Sequence, residues 1–110
     1  MAFFSSSAEL RGPRTAYLAD SVGGMPVISV FFGIVIRMYY EDHDPPHIHA
    51  EHQGHRAKVD FDGRVIAGAI GSAMARRRIA EWAKLNRPAL EANWQRMRAG
   101  RPLERVKPLD

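Results

Sequence analysis

"HIHAEHQGHRAKVD", residues 47 to 60, decides the fold. Gln53-Gly54 separates two runs of alternating character, and a pair ending in glycine between such runs marks a two-residue β-hairpin turn. A turn at that place fixes the register: His52 faces His55, Glu51 faces Arg56, His49 faces Lys58 and His47 faces Asp60. Ile48, Ala50, His52, His55, Ala57 and Val59 then share the face turned to a core. His47, His49, Glu51, Arg56, Lys58 and Asp60 share a wholly polar one. A slip of one residue would exchange the two faces.

Upstream, "MPVISVFFGIVIRMYY", residues 25 to 40, is dense in β-branched and aromatic residues and predicts one strand before Gly33 and another over 34–40. In the second, Ile34, Ile36, Met38 and Tyr40 share a face, and Val35, Arg37 and Tyr39 take the other. The Asp-Pro-Pro segment turns the chain, since neither proline can donate to a ladder. Downstream, Asp62-Gly63 predicts a second hairpin leading into 64–69. Beyond Ser72, a good N-cap, the period becomes helical, with Ala75, Ile79, Trp82 and Leu85 in one stripe and Arg78 falling inside it. Asn86 reads as a second cap, Pro88 lies near the next first turn, and Leu90, Trp94 and Met97 form another stripe that Gly100 ends. "RPLERVKPLD" is expected as an extended segment against the sheet edge or as a loose end. The fold class expected is α+β, a small antiparallel β-meander of about four strands packed by two C-terminal helices. Residues 1–24, with a serine run and no sustained period, read as a flexible extension, and 25–110 as a single domain.

The chain has 110 residues, 45% of them hydrophobic, enough for one modest core. It contains no cysteine, which excludes disulfides, thiolate zinc sites and a cysteine nucleophile and fits a reducing cytoplasm. The longest apolar run, 25–36, is interrupted by Ser29 and Gly33 and is too short to span a bilayer, so no membrane association is expected. Charge is unevenly placed. Residues 41–62 carry six acids against Arg56 and Lys58, whereas 63–110 carry eleven Lys/Arg against four acids. A basic C-terminal half suits an anionic partner, RNA or an acidic protein, and equally suits solvated helix faces.

All five histidines lie between Glu41 and His55. Alternation places His47 and His49 on one face, about 7 Å apart along the strand, where two imidazoles can converge on one ion. His43 in the loop, or Asp60 opposite His47, would complete a three-ligand site for zinc or a similar divalent ion. The same face permits metal-free chemistry: His47 or His49 as general acid or base, Lys58 and Arg37 stabilising phosphoryl charge, and Tyr39 positioning a substrate such as RNA. A purely structural role is the third reading. There His47 and His49 bond to the Asp42, Asp44 and Pro-Pro loop, and His52 and His55 form a packed cross-strand pair.

The stretch "FFGIVIRMYYEDHDPPHIHAE", followed by "AEWAKLNRPALEANW" and "RPLERVKPL", resembles a bacterial family of small proteins, domain-of-unknown-function family 4160. His47, Pro45, Pro46 and His49 match its "PPHxHA" pattern. The resemblance implies one half of a two-gene, toxin-antitoxin-type module, with a small protein partner encoded by a neighbouring gene and RNA cleavage as a candidate activity. His52 and His55 fall where variable residues are expected, which places the functional weight on His47 and His49.

Overall fold

The computed structural model describes residues 24–110. The reading of 1–24 as an extension therefore lies, except for Gly24, outside the described residues. The chain forms β1 (Val27–Phe31), β2 (Ile34–Arg37), β3 (His47–His52), β4 (His55–Asp60) and β5 (Val65–Gly68), then α1 (Ala73–Leu85) and α2 (Arg87–Arg98). Each strand pairs antiparallel with the next in the order β1-β2-β3-β4-β5. This is a meander of five strands packed by two C-terminal helices, the expected α+β class with a short fifth strand at its edge.

The decisive hairpin has the expected register, His47 opposite Asp60 through His52 opposite His55. Gln53 and Gly54 both carry positive φ, 48° and 82°, the backbone that a two-residue hairpin turn needs to match strand twist. Phe32 and Gly33, at 50° and 74°, turn β1 into β2 in the same way. At the other edge Gly68 has φ 75°, and a Cβ there would meet the Arg56 carbonyl oxygen at 2.4 Å. Only glycine allows β4 and β5 to close so tightly.

Alternation then builds the core. Ile28, Ile36, Ile48 and Val59 from the sheet and Trp82, Leu90 and Met97 from the helices belong to one buried cluster. Trp82 is fully buried, its ring 5.3 Å from Phe31. Burial of each such side chain is worth about 1.5–3 kcal/mol against exposure. The last segment runs extended along β1: the Val106 N–H donates to the Ile28 carbonyl at 2.7 Å, and the Trp82 indole N–H donates to the Lys107 carbonyl at 2.7 Å. Fully buried Asn93 completes the attachment, donating to the Glu104 carbonyl at 2.8 Å and accepting the Glu104 N–H at 3.0 Å.

Three local expectations change. Leu85 is 66% exposed, and Ala83 takes its place in the buried stripe. Asn86 does not cap α2 through its side chain; its amide instead donates to the Trp82 carbonyl at 2.9 Å and closes α1. His47 lies on the polar side of β3 and is nevertheless only 5% exposed. Ser72 behaves as expected, accepting the Ala75 N–H at 3.1 Å. No helix of the described residues is long and apolar enough to cross a membrane.

Candidate metal centre

The helices cover the core face of the sheet, and His47 and His49 stand on the opposite face of β3. Residues 39–46 fold back over them. A tight turn starts this segment: the Asp42 N–H donates to the Tyr39 carbonyl at 3.3 Å, and the Asp42 carboxylate accepts the Tyr39 N–H at 3.4 Å. This reciprocal closure is a common use of aspartate in turns. Here it aims the other function of the same oxygen at the strand. Asp42 Oδ2 lies 2.9 Å from His49 Nε2 and 3.4 Å from His47 Nε2, all three side chains being largely buried.

Each imidazole is oriented from behind. His47 Nδ1 donates to the Pro45 carbonyl at 2.8 Å, and the ring sits 5.7 Å from Trp94. The Tyr39 ring stacks on His49 at 3.8 Å with the planes only 6° apart. With its proton on Nδ1, a neutral His47 presents a bare lone pair at Nε2, and that atom has no hydrogen-bond partner. It faces a carboxylate oxygen. Two acceptors held 3.4 Å apart out of water repel unless a positive charge lies between them, either a proton or a metal ion.

The three donor atoms lie within 4.8 Å of one another. Tetrahedral bonds of about 2.0–2.1 Å would separate neighbouring ligands by about 3.3 Å, and the two contacts to Asp42 bracket that spacing. The Nδ1–H to carbonyl bond of His47 is the usual outer support of a metal-ligating histidine. Burial pushes the His49 imidazole below its ordinary titration value, outweighing the Asp42 carboxylate, which raises it; His47 and Lys58 act in the same direction as burial. A neutral imidazole is the form a metal requires. Two imidazoles and one carboxylate suit zinc or a comparable divalent ion, with positions left for water or a substrate oxygen.

The remaining candidates fall elsewhere. His43 is exposed in the loop and is not among the converging donors. Asp60 faces His47 in the ladder, but its carboxylate accepts the N–H groups of Asp62 and Arg64 at 2.9 Å and so shapes the β4–β5 turn. Arg37 donates to Glu51 at 3.2 Å and to the Met25 carbonyl at 2.7 Å. Lys58 is exposed opposite His49. His52 and His55 stand opposite each other in the hairpin register as expected, but His55 is exposed rather than packed toward the core, and its Nδ1 accepts the Gly71 N–H at 3.1 Å. Asp42 is the converging donor that the periodic reading misses, because loop residues have no period to assign them to a face. The turn-closing habit of aspartate after the two tyrosines is the signal that marks it.

Residues 33–95 match the family described as Domain of unknown function (DUF4160), and the chain belongs to that family. Asp42, His47 and His49 all lie inside the matched segment. No curated protein and no solved structure matches the chain.

Proposed function

We propose that this member of the family is a divalent-metal protein whose ion is held by Asp42, His47 and His49. The observation that carries the reading is the buried, unpartnered Nε2 of His47 set against the Asp42 carboxylate. When bound, the ion would supply Lewis acidity and an activated water at neutral pH. The chain's own residues do the rest. Pro45 and Tyr39 hold the two imidazoles, and Trp94 walls the His47 side against solvent. The test is a zinc titration of chelator-treated protein. About one ion per chain is expected, with binding weakened by roughly 10- to 100-fold or more in Asp42→Asn and His47→Ala and unchanged in His43→Ala and Asp60→Asn. Absence of saturable binding overturns the reading.

RNA cleavage without a metal draws less support from this face, since Arg37 is engaged with Glu51 and the Met25 carbonyl, and Tyr39 is stacked on His49. A role in a toxin-antitoxin-like pair with a small protein partner is supported by one feature. β5 ends the sheet with every residue exposed, Val65 at 42% and Ile66 at 44%, and such an edge accepts an added strand. Co-purification with the neighbouring gene's product, abolished by Ile66→Lys or a proline in β5, tests this; a complex indifferent to both changes removes it. The lack of cysteine supports a cytoplasmic setting.

A further inference from the structure

The outer sheet face carries one feature that metal binding does not use. A row of cross-strand neighbours runs from Arg37 to His49 to Lys58 to Ala67. Beside it, Glu51 stands opposite Arg56. Trp94 of α2 reaches this face only at His47, no helix residue lines the part beyond it, and the small residues Ala67 and Gly68 leave its β5 end low. The result is a hollow of about 200 Å³ in which His49, Arg56 and Lys58 meet.

The charge in this hollow is not balanced from within. Glu51, the acid on its wall, is the acceptor of Arg37 on β2, although the ladder sets it opposite Arg56. Among the described residues neither the Arg56 nor the Lys58 side chain makes a hydrogen bond or ion pair, and both residues are exposed. Lys58 is close enough to act electrostatically on the His49 imidazole. Two unneutralised cations thus flank a ligand of the metal centre, on a face where an extended molecule can lie flat against the strands. Cations so placed raise the local concentration of an anion and can each donate to its oxygens.

We infer that this hollow is the substrate side of the centre and takes a phosphate group between Arg56 and Lys58, next to His49. The inference rests on the metal reading for its link to chemistry, and not for the anion site itself. The phosphate can belong to a free nucleotide or to single-stranded RNA. RNA has the greater reach, since the sheet offers a flat platform along which a chain of nucleotides can lie.

The test uses the full chain, once treated with chelator and once loaded with zinc, titrated with inorganic phosphate, a nucleoside 5′-monophosphate and a short single-stranded RNA. Metal content and the His49 imidazole resonances are read throughout. Expected is saturable binding that perturbs His49 and weakens about tenfold or more in each of Arg56→Ala and Lys58→Ala, with metal content unchanged. Tighter binding of RNA than of the mononucleotide, with a steeper salt dependence, identifies RNA as the source, and equal affinity identifies the free nucleotide. One metal per chain with no phosphate binding, or with binding indifferent to both variants, overturns this inference and leaves the metal reading standing. No metal but phosphate binding that both variants weaken overturns the metal reading and supports the anion site.

Discussion

His47 is the residue on which the account turns, because its surroundings make sense only with a positive charge added. Its Nδ1 proton is committed to the Pro45 carbonyl, and its Nε2 faces the Asp42 carboxylate at 3.4 Å without a hydrogen bond. His49 faces the same oxygen with a better contact and a lowered titration value, caused first by burial. That lowering has a consequence for stability. Between about pH 6.5 and the lower value of the folded state, the unfolded chain takes up a proton that native His49 refuses. Stability in the metal-free protein is therefore full above about pH 6.5 and falls as pH drops through this window. Urea unfolding of chelator-treated protein at pH 7.5, 6.5 and 5.5 should show a loss that His49→Gln reduces; an equal loss in the variant contradicts the assignment. The importance of His47 and His49 was legible in their alternation and their clustering. Their third partner was not. Asp42 lies in a loop, where facing is set by one turn's hydrogen bonds, while Asp60, placed correctly by register, spends its carboxylate on the next turn's N–H groups.

At the scale of elements, register was the most legible property, because a period of two leaves only two answers and the apolar set Ile48, Ala50, Ala57 and Val59 selects one. Helix faces were legible to within one turn. Ile79 and Trp82 are buried as the stripe predicts, but Leu85 is not, since a stripe read at fixed period cannot show where the helix outruns the sheet. The turn at Gln53-Gly54 is well placed and poorly filled: glutamine at φ 48° lacks the tolerance for that backbone that asparagine has. Gln53→Asn should therefore stabilise the protein by about 0.5 kcal/mol without changing its metal content, as read from the denaturation midpoint. A lower midpoint would show that Gln53 makes a contribution of its own in the hairpin.

For the whole molecule, the C-terminal segment is as much a part of the core as the helices. Leu103 and Val106 are buried, and Asn93, Trp82 and Tyr40 all bind its backbone; the Tyr40 hydroxyl donates to the Arg101 carbonyl at 2.8 Å. Composition left this segment open between bound and loose, because its anchors are side chains on other elements. Asn93→Ala would leave both polar groups of Glu104 without their partner and should cost about 2–3 kcal/mol, with faster hydrogen exchange confined first to residues 103–107. Uniform exchange across the chain would deny the segment its separate attachment. The same architecture carries the candidate site: β3 would supply two ligands, the turn after β2 the third, and α2 supplies the Trp94 wall. Whether these parts enclose a metal ion is read by X-ray absorption at the zinc edge of protein loaded with about one equivalent. Two imidazole nitrogens and oxygen ligands at about 2.0–2.1 Å are expected, with the two-imidazole signature lost in His47→Ala. An ion bound by one imidazole or none, or a chain that retains no stoichiometric zinc, would contradict the metal reading.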